Sequence, residues 1–198
     1  MTDPPPRDPF LDELLDGLDP EEAGGLLEEL AMAAAPPPTP ALRDRILASA
    51  AATHRFADLA DRIARDVDLD RAATDALLLT IDDPGRWAES LVPGVSLLHF
   101  EGGPRTADAI TGFIRIDPDA SFPVHAHLGD EVTLLVQGEL RDEATGAIFR
   151  RGQRVALGAG VEHGPLVVVS DVPAIYLAVV AHGITLGGRT FGPEDPGM

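Results

Sequence analysis

The chain has 198 residues, 44% of them hydrophobic and 24% charged, which suits one compact domain with an appendage or two small domains and argues against global disorder. Its 33 acids outnumber 15 bases, giving a formal net charge of -18, a field that repels phosphate backbones and anionic lipid and so argues against nucleic-acid and membrane-surface partners. No Cys occurs, which excludes disulfides, thiolate nucleophiles, thiol redox sensing and any sulfur-ligated zinc site.

The N-terminus, MTDPPPRDPF, lacks a basic stretch followed by an apolar core, and no apolar run approaches the roughly 18 to 20 residues of a membrane span. The expected location is therefore cytoplasmic. All the bases are Arg, and Lys and Asn are absent as well as Cys, a pattern that suggests GC-rich coding and a bacterial source. Residues 1–30 hold 10 acids and 1 Arg. Within them Pro9, Leu11, Leu14, Leu15 and Leu18 make a short apolar stripe, and a helix is expected over Glu21 to Ala35 through Leu26, Leu27 and Leu30. The run APPPTP, residues 35–40, reads as an extended spacer, with Thr39 able to cap the next helix and Pro40 to occupy its first turn. Leu42, Ile46 and Leu47, then Phe56, Leu59, Ile63 and Val67, follow a helical period with Arg and Asp on the other face. Asp70 opens a further helix through Ala73, Ala76, Leu77 and Ile81, and Asp83-Pro84-Gly85 ends it.

After Gly85 the texture changes to short β-rich runs separated by Gly, Pro and Asp. Strands are expected near Val95–Glu101, Ala109–Ile116, Phe122–His127, Glu131–Val136, Leu140–Asp142, Ala147–Arg150, Arg154–Leu157, Leu166–Val169, Ala174–Ala181 and Ile184–Arg189. About ten strands with no intervening helix indicate an antiparallel sandwich or barrel. The expected architecture is mainly β: an α-helical N-terminal region, 1–83, with 19 acids and 7 Arg, then a barrel, 84–198, with 14 acids and 8 Arg.

The most informative stretch is FPVHAHLGDEVTLLVQGEL, residues 122–140. His125 and His127 stand two apart on an expected strand, so both imidazoles emerge on one face. Glu131 follows after Leu128-Gly129-Asp130, where the chain can turn back, and His163 lies after a second Gly-rich turn in LGAGVEHGPLVVV. His125, His127, Glu131 and His163 form a nitrogen and oxygen donor set suited to one divalent transition metal, Zn first, with Fe, Mn, Ni or Cu also fitting. By parity Tyr176 and His182 share a strand face and line the cavity if that face is interior, with the barrel rim the default place for His182, while Trp87 is expected at the junction of helices and barrel. His54 and His99 have no partner at ligand spacing, and Arg115, Arg150 and Arg151 read as surface residues of hairpins.

These residues resemble the cupin family. Its first motif, G-x5-H-x-H-x3,4-E-x6-G, is matched by His125, His127, Glu131 and Gly138, with Asp119 in place of the opening Gly. Its second, G-x5-P-x-G-x2-H-x3-N, is matched by Gly152, Gly160 and His163, with Gly158 and Val167 replacing the Pro and Asn. The resemblance implies a jelly-roll barrel with one metal inside. The runs DDPGRWAESLVPGVSLLHFEGG and FPVHAHLGDEVTLLVQGELRDE further resemble the C-terminal cupin of ChrR-like anti-sigma factors, and APPPTPALRDRILASAA resembles the linker and fourth helix of an anti-sigma domain. The His-x3-Cys-x2-Cys zinc motif of such domains is absent, and no His precedes His54.

The resemblance implies a transcription regulator that binds a sigma factor through its helical arm. The acidic arm suits a basic protein partner but is equally a solvated, solubilising face. The alternative is a metal-dependent cupin enzyme, a dioxygenase or isomerase acting on a small molecule, although no further acid or base has a spacing that marks it as catalytic. A cupin that only binds a small-molecule ligand is the third reading. A homodimer through paired barrel edges, as often occurs in this family, is compatible with all three.

Overall fold

The computed structural model describes residues 16–34, 39, 41–43 and 55–195. The expected stripe of Pro9 to Leu15, most of the Pro-rich run, Ile46, Leu47 and His54 lie outside these residues. Two compact units divide between Ala51 and Ala52.

In the first unit, α1 spans Pro20–Ala34. Asp19 precedes it and accepts from the Glu22 amide at 2.9 Å, while the Glu22 carboxylate accepts from the Asp19 amide at 3.2 Å, a reciprocal cap that satisfies two amides at the helix start. Pro20 fits the first turn because no partner is required for its nitrogen. Leu27 and Leu30 are exposed on α1. Thr39 caps as expected, its Oγ1 accepting from the Leu42 amide at 3.2 Å.

The second unit begins with a turn at Ala57–Leu59, then α2 (Ala60–Val67) and α3 (Arg71–Leu79). Asp70 caps α3, its carboxylate accepting from the Ala73 amide at 2.8 Å. Fourteen strands follow: β1 Ala88–Glu89, β2 Val95–His99, β3 Ala109–Ile116, β4 Ser121–Phe122, β5 His125–His127, β6 Glu131–Gln137, β7 Glu139–Asp142, β8 Ile148–Arg150, β9 Arg154–Leu157, β10 Glu162–His163, β11 Leu166–Val168, β12 Ala174–Ala181, β13 Ile184–Leu186 and β14 Arg189–Phe191. They form sheets in the orders β1-β2-β3-β12-β6-β9, β10-β5-β13-β14 and β4-β11-β7-β8, with every pairing antiparallel. This is an antiparallel barrel that follows helices in the chain, the mainly β architecture expected.

The central strands of the six-stranded sheet, β3 and β12, are buried on both faces. Along β12, Ala174, Tyr176, Ala178 and Val180 point into the barrel core, and Ile175, Leu177 and Val179 point to the other face. There Phe113, Leu134 and Leu177 join Phe56, Leu59, Ile63, Val67, Leu78 and Ile81 from the helical segment in one apolar cluster. Double burial explains why AIYLAVVA shows no polar alternation. It also explains why the compact units separate earlier than the change of texture at residue 83: α2 and α3 are the cover of this sheet. Trp87 packs against the same cluster and donates from Nε1 to the Ile81 carbonyl at 3.0 Å.

Polar contacts fasten the cover at its edges. Arg62 donates to the Gly152 carbonyl at 2.6 Å, Arg151 makes a bidentate pair with Asp58 at 2.8 and 2.7 Å, and Arg154 pairs with Asp66 at 3.1 Å. Arg105 holds Asp68 at 2.7 Å. Asp68 takes the left-handed conformation that ends α2, and the Arg105 backbone and side-chain hydrogen bonds keep its carboxyl below the usual carboxylate range.

Candidate metal centre

Three elements bring the predicted donors together. β5 places His125 and His127 on one face, both buried, with Ala126 turned away between them. β10 pairs with β5 so that His163 lies directly opposite His125. Glu131 opens β6, between β12 and β9, after the Leu128-Gly129-Asp130 turn. That turn lies against β12: a Cβ on Gly129 would stand 2.6 Å from the Ala181 carbonyl oxygen, so only glycine fits. Asp119, where the first cupin motif opens with Gly, has a φ of 66°. The left-handed turn is therefore kept without glycine, since Asp tolerates this region better than most residues.

One donor atom from each of His125, His127, Glu131 and His163 falls within a cluster no wider than 4.8 Å. His163 Nε2 stands 3.1 Å from His125 Nε2 and 3.6 Å from a Glu131 oxygen, and His127 Nε2 lies 3.2 Å from the same oxygen. Donors about 2.1 Å from a shared ion stand roughly 3 Å apart, so these spacings fit one metal without rearrangement. His125 Nδ1 donates to the Pro123 carbonyl at 3.1 Å, which leaves the Nε2 lone pair facing the cluster. Neither ring nitrogen of the buried His127 has a hydrogen-bond partner. A buried ring nitrogen without a hydrogen bond is costly, and a metal on Nε2, beside the Glu131 oxygen, would remove that cost there.

The electrostatics favour the same occupant. Burial lowers all three histidines to about 4, with His163 adding to the effect at His125, His125 at His127, and His127 at His163. Neutral imidazoles with available lone pairs are the form a metal needs. Burial raises Glu131 to about 7, against a hydrogen bond from Thr133 that lowers it. A cation at the cluster would reverse that penalty.

Several surrounding residues complete the site. Asp142, also buried, approaches His163 Nδ1 at 3.9 Å through one oxygen, and its other oxygen accepts from the amides of Ala144 and Thr145 at 2.8 and 3.1 Å. Asp142 was not marked by any spacing rule; its signal is parity with the buried Leu140, which puts an acid on the inward face of the alternating strand β7. Tyr176 is buried and lines a small void with His125 and Glu131, as parity suggested. His182 does not join it: it falls beyond the end of β12 with a φ of 63° and is exposed, because the chain turns at Gly183. Arg115 and Arg150 make surface pairs with Asp117 and Glu139.

Comparison with known proteins places this site in a family. Among solved structures, Rhodobacter sphaeroides SigE in complex with the anti-sigma ChrR is 25% identical, covering 81% of this chain and 78% of that one with a TM-score of 0.46. An acetylacetone dioxygenase from Acinetobacter johnsonii is 14% identical over 57% of this chain and 83% of its own, with a TM-score of 0.48. A predicted oxalate decarboxylase from Thermotoga maritima is 20% identical over 47% and 88%, with a TM-score of 0.40. No curated protein matches the sequence. Residues 77–181, more than half of the chain and all four donors among them, match the ChrR cupin-like domain, and the chain belongs to that family.

Proposed function

We propose that this protein is a metal-binding transcription regulator of the ChrR-like anti-sigma type, whose barrel holds one divalent metal, zinc first, and whose helical arm binds a sigma factor. The observation that carries the reading is family membership over residues 77–181 together with the intact cluster of His125, His127, Glu131 and His163. The arm supports it independently: Leu27 and Leu30 are exposed on α1 beside Glu28 and Glu29, an apolar and acidic surface of the kind that covers a basic protein partner. Without Cys, the arm engages its partner by apolar contact and charge and not through a zinc clasp.

His125 and His127 from β5, Glu131 from β6 and His163 from β10 would hold the metal, which would supply a Lewis-acidic centre. The chain's own residues set its geometry. Pro123 fixes the tautomer of His125, the β5–β10 register fixes His163, and the Gly129 turn delivers Glu131. No helix among the described residues is long and apolar enough to cross a membrane.

The test is whether the adjacent gene encodes an extracytoplasmic-function sigma factor, followed by co-expression of the two. The full chain is expected to copurify with it, and residues 52–198 are expected not to. Failure of the full chain to retain the sigma factor overturns the reading. A metal-dependent enzyme is the second reading, favoured by the cavity of about 360 Å3 that reaches Glu131 and His163. Turnover of diketones, thiols or sugars by iron-loaded protein would establish it in place of the regulator.

A further inference from the structure

The cavity beside the metal centre has a chemistry of its own. β8, β9 and β10 each end a sheet, and residues of all three line the cavity. Leu135, Leu140 and Leu166 are fully buried there, and Phe149, Val155 and Leu157 are partly so. The ionisable lining consists of His163 and three carboxylates, Glu131, Asp142 and Glu162. Among the described residues no Arg lines it, and the chain contains no Lys.

Charge counting then decides what the cavity accepts. A divalent ion at the cluster is balanced by Glu131 and by Asp142 beside His163, which leaves no positive charge to recruit an anion. A ligand carboxylate or phosphate would enter an apolar space already facing Glu162, with no cation to offset its desolvation. Thr133, Thr145 and Gln153 remain as neutral hydrogen-bonding groups. We propose that this cavity binds a small, uncharged, mostly apolar molecule and excludes anions of the same size. The charge balance rests on the proposed metal, but the preference does not reverse without it, since the carboxylates then stand uncompensated.

The experiment is calorimetric titration of the zinc-loaded full chain with hexan-1-ol and with hexanoate at neutral pH, with zinc measured on the same samples. One hexanol is expected to bind per chain, hexanoate at least about tenfold more weakly, and the methyl resonances of Leu140 and Leu166 should shift with the alcohol. Ala147 is exposed at the rim, so Ala147→Trp should weaken hexanol binding while leaving zinc content unchanged. Hexanoate binding as tightly as the alcohol, no hexanol binding up to its solubility limit, or hexanol binding indifferent to Ala147→Trp would each overturn the proposal. Protein that takes up no zinc yet prefers hexanol would overturn the metal reading and leave this one standing.

Discussion

Ile63→Ala tests whether the helices belong to the barrel. Ile63 has no solvent exposure and sits in α2 within the cluster that includes Phe113, Leu134 and Leu177. The substitution removes three carbon groups, about 0.8 kcal/mol each in transfer free energy, and leaves a cavity, for a total of about 3 to 4 kcal/mol. In a unit of this size that lowers the melting temperature by about 10 °C. The chain has one Trp, Trp87, packed against this same cluster, so its fluorescence reports the helix–sheet junction while far-ultraviolet circular dichroism is dominated by the whole unit. Both probes should shift together. Leu79→Ala, at a site 58% exposed on α3, should cost under about 0.5 kcal/mol. A fluorescence transition that moves while the dichroism transition stays in place would refute the reasoning, because the helices would then unfold as an appendage.

Three further outcomes follow from the site and its surroundings. Arg151→Ala breaks the pair with Asp58, both side chains being about half exposed, and should cost no more than about 1 kcal/mol by urea denaturation, less in high salt. Asp142→Asn removes the carboxylate beside His163 and should weaken zinc about tenfold in a chelator competition, with the fold retained because the amide oxygen still accepts from Ala144 and Thr145. Metal-free protein should lose stability as pH falls from about 6.5 toward 4, read as a falling urea midpoint. The unfolded chain there binds protons on His125, His127 and His163 that the folded chain, with values lowered to about 4, does not. Glu131, raised to about 7, opposes this above about 4.5 with one proton against three.

Much of this was legible in the sequence because the signals are local. His125 and His127 at a spacing of two declare a shared strand face, and the expected spans of β3, β9 and β12 coincide with the observed ones because turn residues bound them. Of the three two-residue strands, β1 and β10 were not legible, since so short an element has no period, and β4 was expected only as part of one strand with β5; β10 exists through its register with β5. The grouping of α2 and α3 with the barrel was hidden for a different reason. Helical periodicity shows that Ile63 and Val67 face something apolar, but only the tertiary packing shows that the something is the back of β12. Asp142 and the Arg62, Arg151 and Arg154 contacts join residues far apart in the chain, and no spacing rule reaches them.

The central claim is that four side chains from β5, β6 and β10 hold one metal ion. Elemental analysis of the purified chain, compared with the His125→Ala, His127→Ala double variant, measures it directly. The expected result is about one transition-metal ion per chain, lost in a variant that remains folded by circular dichroism. Native protein that takes up no metal even after reconstitution, or a double variant that retains it, would show that these four side chains are not a metal site.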